Sequence, residues 1–415
     1  MEILISLSTA LTGGLLLSRV AKRLKLPAVT AYLVAGLLLG PFCLGALGIG
    51  GLGFASMEAV EGLNMLSQVA LGFIAFTIGN EFRVSQLKTM GLQAIVVGIL
   101  QAVAATALLD LALILLHLVR PDVISVSSAI TLGAIAAATL MVVRQYKADG
   151  PMTRLLLMVV AIDDAVGLVL FSASFGVAVA LESGAVSVVT VLVEPVMEIV
   201  LSLALGAVSG VVLYWVEQFF HSRSKRLSIS IGFVLLTVGL SMKEFEVGGV
   251  HCGFSLLLVC MMTGTLFCNI CDFSEELMAR VDGWTAPLFV LFFVLSGAEL
   301  DLSVLRNPSV LLIGVIYILV RSLGKYTGSY GSCALTGCSP EIQKYLGITL
   351  LPQAGVALGM AITAQALADG AVVRSVVLFS VLVYELVGPA LTKRALLAAG
   401  EIQPEGRTSA RVKNG

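Results

Sequence analysis

Long apolar stretches, separated by short polar or glycine-rich connections, run the length of the chain. They fall near residues 3–17, 27–40, 63–82, 91–116, 125–143, 153–181, 190–216, 227–242, 252–269, 284–299, 309–329, 346–366 and 373–392. Most approach the roughly 20 residues that a helix rising 1.5 Å per residue needs to cross a bilayer core, so about thirteen transmembrane helices are expected. Two of the stretches carry unusual sequence at membrane depth. Ala134 to Thr139 is small and polar, which fits either an interrupted helix or close packing between helices. Leu350 to Val356 includes Pro352, Gln353 and Gly355, and the proline with the glycine predicts a break. Discontinuous helices at corresponding positions of two halves point to a transporter's binding site.

Composition sharpens the class. The chain is 58% hydrophobic and 12% charged, with a mean hydropathy of +1.02, whereas soluble domains are about a quarter charged. An integral, multi-pass membrane protein is expected, with the lipid bilayer as its surroundings. The net charge of −1 gives no reason to expect a nucleic-acid partner. Basic residues collect in alternate connections: Arg19 to Lys25, Arg83 and Lys88, Arg144 to Arg154, Arg223 to Arg226, and the C-terminal tail. Arg280 and Lys344 belong to the same set, and the other connections hold only Arg120, Lys243, Arg306 and Arg374. Positive residues stay inside, so the N-terminus is expected outside and the C-terminus inside, which requires an odd number of spans. The first apolar run lacks a basic leader and a small-residue cleavage pattern, so it reads as a span rather than a signal peptide. No organelle address is visible, and a bacterial inner (cytoplasmic) membrane is expected. Cys268 and Cys271 form a lone C-x-x-C with no second pair or histidine cluster, which favours packing over a metal or redox centre. No cofactor is expected.

Asp163, Asp164, Arg321 and Lys325 lie at membrane depth, where ionisable groups are costly and mark function. Asp163 and Asp164 are adjacent in the 153–181 stretch. On a helix they point about 100° apart, so one can face a cavity and the other a neighbouring helix. Arg321 and Lys325 are four residues apart, on one helix face. Opposite charges in a membrane tend to pair, and these two are the candidate counter-charges of the diacid. Other acids are less telling. Glu194 and Glu198 fit the solvated end of a span, Asp110 and Glu385 have no sequence-evident partner, and Glu81, Glu299 and Asp301 read as interfacial. A channel would need a repeated filter loop, and an aspartyl protease would need carboxylates from two helices. Neither pattern is present in the sequence.

Ordered motifs then give a resemblance. Leu26-Pro27-Ala28 leads a span ending Leu39-Gly40-Pro41, and the next span ends Gly79-Asn80-Glu81-Phe82. Thr139 precedes Ile162-Asp163-Asp164. Phe292-Phe293 with Gly297, Gly324-Lys325, and Pro352 to Gly355 follow in order. The set covers nearly the whole chain and resembles the monovalent cation:proton antiporter superfamily, within it the second cation:proton antiporter family. That resemblance implies an all-α fold of two inverted repeats with crossed discontinuous helices. Residues 1–184 would form the first repeat, 185–226 a linker helix and loop, 227–397 the second repeat, and 398–415 a short cytoplasmic tail. Such a tail is too short for a nucleotide-binding regulatory module.

By the same resemblance the protein is a transporter, not an enzyme, and has no catalytic residues. It would exchange a monovalent cation, sodium first, for protons in the service of pH homeostasis. Asp164 would be the principal ion- and proton-binding carboxylate and Asp163 the variable first position, Asp in electrogenic members. Thr139 would be the threonine on the crossing span and Lys325 the partner of Asp163, with Arg321 a second basic neighbour. Ala138, Pro352, Gln353 and Gly355 would form the crossing. The cation would sit at Asp163 and Asp164, since hard oxygens suit an alkali ion. A moving bundle drawn from both halves and a homodimerising scaffold are expected. Electroneutral potassium/proton exchange, or sodium-coupled organic anion symport on a similar fold, are the alternatives.

Overall fold

Capping chemistry sets where many of the helices begin. In the computed structural model, which describes residues 2–23, 28–49, 52–84, 92–139, 148, 150–184, 193–243, 245–247, 250–300, 307–353 and 355–402, Ser125, Asn307 and Ser339 each accept a backbone N–H with the side chain at a helix start. Pro151, Pro308 and Pro340 occupy first-turn positions, where no donor is needed. The helices are α1 (Glu2–Arg23), α2 (Ala28–Leu39), α3 (Asn64–Glu81), α4 (Leu92–Val119), α5 (Val126–Ile135), α6 (Pro151–Glu182) and α7 (Glu194–Gln218). After these come α8 (Arg223–Ser241), α9 (Leu256–Ile270), α10 (Ser274–Ala298), α11 (Pro308–Leu335), α12 (Pro340–Thr349), α13 (Gly355–Thr363) and α14 (Gly370–Ala398). Among the described residues nine helices are long and apolar enough to cross a membrane, and three shorter apolar helices accompany them. The expected all-α class holds, apart from a small antiparallel ribbon that pairs Phe245–Val247 with Val250–Cys252.

Both suspect stretches leave the helical path. α5 stops at Ile135, and Ala136 to Thr139 leave the helix. The stretch expected at 346–366 is two helices, α12 and α13, separated by non-helical Leu350 to Gln353. Helices of the two halves interleave into two bundles. In one, α2 packs on α10 and α3 on α9, with α1 and α8 alongside and α7 against α9. In the other, α4 packs on α11, α5 and α6 pack on α4, and α12 and α14 pack on α11. Exchanging α1–α6 for α8–α14, with α12 and α13 counted as one broken helix, maps these pairings onto one another, except that of α7 with α9.

Glycines make the first bundle's two central crossings. A Cβ on Gly36 of α2 would strike the Val294 carbonyl of α10, and one on Gly297 would strike Leu33 of α2. Gly79 and Gly264 repeat this reciprocal contact between α3 and α9, against Met261 and Phe76. Small residues let membrane helices approach backbone to backbone. Gly264→Ala is therefore expected to lower the melting temperature in detergent, by an overpacking cost of about 1–3 kcal/mol. Gly232→Ala, where nothing lies within 4 Å of a new Cβ, is expected not to. Equal melting temperatures would show that the close crossing is not needed.

The end of α14 is tied to the start of α6. Gly400 takes a left-handed turn at φ 74°. Glu401 N–H returns to the Leu396 carbonyl at 3.0 Å and Gly400 N–H to that of Leu397 at 3.1 Å, a Schellman closure. This aims the Glu401 carboxylate at the N–H groups of Met152 (2.6 Å) and Thr153 (2.7 Å), with the Thr153 hydroxyl at 2.6 Å. Pro151 has no donor to offer, so the acid takes the next two. A carboxylate at a helix N-terminus also complements the dipole.

Candidate functional site

The two interruptions meet, and what joins them is polar. Where a helix stops, its last carbonyls lack intrahelical partners, and here side chains from α11 and the second interruption supply donors. Arg321 donates from Nε to the Ala136 carbonyl at 3.0 Å, from one terminal nitrogen to Ala138 at 2.7 Å, and from the other to Leu351 at 2.8 Å. Its guanidinium also sits 4.5 Å from the centre of the Tyr384 ring. Gln353 Nε2 donates to the Ile135 carbonyl at 2.9 Å, and the Tyr317 hydroxyl donates to Gln353 Oε1 at 3.2 Å. The Thr139 hydroxyl lies 3.4 Å from the Leu350 carbonyl, so it too spans the junction. Pro352 is buried against Gly388 of α14, where a Cβ would come within 2.9 Å of the ring. Gly355 opens α13.

Lys325, one turn beyond Arg321, does something different. Its ammonium reaches Asp163 Oδ2 at 2.8 Å and Oδ1 at 2.9 Å, and it also donates to the Ala137 carbonyl. Both side chains are 0% exposed. Gln101 of α4 completes the group: it accepts from Lys325 at 2.9 Å and donates to Asp163 Oδ1 at 2.5 Å and to the Gly98 carbonyl at 3.0 Å. Gly324 and Gly328 make this reach possible, because a Cβ on either would press on Ala105 or on Gln101 Cα. Asp164 sits at the edge of the cluster, buried like its neighbour but with 9% of its surface open.

The structure thus brings Asp163, Asp164, Lys325, Arg321, Thr139, Ala138, Pro352 and Gln353 to one junction. Arg321 departs from the expectation that it serves as a counter-charge of the diacid. Its guanidinium nitrogens are bound by main-chain oxygens of both interruptions, whose partial negative charge it offsets. Gln101 was not expected. Its only signal is an amide in an otherwise apolar helix, where polar side chains commonly bond across helices.

The remaining acids lie elsewhere. Asp110 occupies the space that the missing Cβ of Gly133 leaves. Glu385 is fully buried and accepts from Thr30 of α2 at 3.4 Å. Glu299 and Arg374, expected at an interface and in a loop, form a nearly buried ion pair between the C-terminal end of α10 and the first turns of α14. The Glu194 side chain and Asp301 lie outside the described residues, and Glu198 is half-buried in the second turn of α7.

Comparison with known proteins bears on what such a junction does. The family model described as sodium/hydrogen exchanger, transmembrane, matches residues 7–398. The fold is similar to a structure of the sodium proton antiporter MjNhaP1 from Methanocaldococcus jannaschii at pH 8, with a TM-score of 0.73 at 18% identity, over 97% of this chain and 99% of that one. An electron-microscopy map of the same antiporter gives a TM-score of 0.70 at 17% identity, over 96% and 98% of the two chains. A search of curated proteins returns no match.

Proposed function

The chain belongs to the sodium/hydrogen exchanger family, and from that premise we propose that it exchanges one monovalent cation, sodium first, for two protons by alternating access. The observation that carries the electrogenic reading is the buried Asp163–Lys325 pair, one residue from Asp164, at the meeting of two interrupted helices. Asp164 carries one proton and gives it up when the cation takes its oxygens. The cation also draws on Asp163, and Lys325 loses its counter-ion. A buried ammonium without a partner is costly, so Lys325 releases the second proton as a neutral amine. One positive charge enters the site and two leave, and the cycle moves net charge. Asp163 paired with lysine resembles the arrangement of the second cation:proton antiporter family and supports a reading within it.

In this reading residues 1–184 and 227–397 are inverted repeats. The bundle of α4–α6 and α11–α14 moves as the transport core, and the bundle of α1–α3 and α7–α10 holds a homodimer in the membrane. The alternating basic connections support an outside N-terminus and an inside C-terminus in a bacterial cytoplasmic membrane, where such exchange serves pH homeostasis.

Solid-supported-membrane recording on proteoliposomes tests the proposal, with sodium and potassium jumps applied to the intact protein and to Asp163→Asn. A sodium-driven current that vanishes in the variant, while cation-driven pH change persists, is the expected result. pH change without current in the intact protein would replace electrogenic by electroneutral exchange. Neither signal with any alkali cation would sink the antiporter and favour sodium-coupled symport.

A further inference from the structure

The Lys325 ammonium is surrounded by oxygen: Asp163 Oδ1 and Oδ2, Gln101 Oε1, and the Ala137 carbonyl, the first three at 2.8–2.9 Å. An ammonium ion and an alkali ion ask for the same thing, a shell of hard oxygens that replaces water. We infer that this cage is itself a cation-binding position, and that Gln101 Oε1 is a cation ligand that passes from the lysine to the incoming ion. The inference rests on the exchange reading above and deepens it by naming a ligand on α4.

Geometry makes the amide suited to this. Its nitrogen is held at both sides, by the Gly98 carbonyl at 3.0 Å and Asp163 Oδ1 at 2.5 Å, which fixes the oxygen towards Lys325. When the lysine withdraws, Gln101 Oε1 is left buried without a donor, a cost that a cation relieves. The ligand is neutral, so it completes the shell without adding a third carboxylate to a desolvated site. The cation and Lys325 then compete for one set of oxygens, which couples cation binding directly to lysine release.

Sodium-driven proton exchange by the full chain in proteoliposomes, with sodium chloride and potassium chloride in parallel, tests this. Gln101→Leu is expected to raise the apparent KM for the cation about tenfold, one ligand's worth of affinity, to change the maximal rate less, and to shift the rate–pH profile. A tether with no ligand role would lower the melting temperature and the maximal rate while leaving KM and pH profile alone, and that outcome overturns the inference. If Gln101→Leu does not fold, Gln101→Asn decides. Its oxygen is drawn back by one methylene, so it should lose the stabilisation that sodium chloride gives the intact protein in a thermal-shift measurement; full retention of that stabilisation overturns the assignment. An intact protein that exchanges no alkali cation overturns the transport reading itself, and the ligand role with it.

Discussion

Asp164→Asn in proteoliposomes is expected to reduce cation-driven proton movement to the leak of protein-free vesicles. The substitution is nearly isosteric, and in the proposed exchange it removes both the proton carried and the charge that attracts the cation. Asp164 sits at the partly open edge of the cluster, so the Asp163–Lys325–Gln101 group can form without its charge. The variant should therefore elute as a folded protein in size-exclusion chromatography while failing to transport. That combination separates loss of function from loss of fold. Exchange at the rate of the intact protein would move the proton-carrying role to another acid, and the buried Glu385 would be the next to test.

Lys325→Met is expected to destabilise the protein strongly. It leaves the Asp163 carboxylate, 0% exposed, without its cation, and breaking a buried pair from one side costs about 3–5 kcal/mol. The double variant Asp163→Asn, Lys325→Met removes both charges and should recover most of the loss, because replacing a whole buried pair with uncharged groups is often close to neutral. Melting temperatures in detergent read the comparison. A double variant less stable than Lys325→Met would mean that the two residues act separately, and the electrogenic proposal would lose its physical basis.

Apolar length and helix-breaking residues made much of the architecture legible, because a bilayer leaves a chain few other options. The break at Pro352 could be read from the proline and glycine. That at Ala136 to Thr139 could not be told from close packing, since alanine serves both. The diacid and Lys325 stood out because charge at depth is rare. Arg321 shows the limit of such reading. Spacing placed it on the same face as Lys325, but spacing does not say what the facing element offers, and main-chain carbonyls at a helix end carry no mark in the side-chain sequence. Gln101 was hidden by being neutral. Arg374 and Glu299, 75 positions apart in the chain, read separately as a loop and an interface residue, because a pairing over that distance leaves no local pattern.

The carboxylate of Glu401 joins the end of the last helix to the first free N–H groups of α6, the helix that carries Asp163 and Asp164. The smallest working version of this protein is therefore not set by its last membrane span. A shortened chain that stops at Ala398 keeps every described helix and still lacks the acid that closes the start of α6. A fusion partner or purification tag joined to the C-terminus has to begin after Glu401, with the glycine turn before it intact, or it displaces the carboxylate that caps α6.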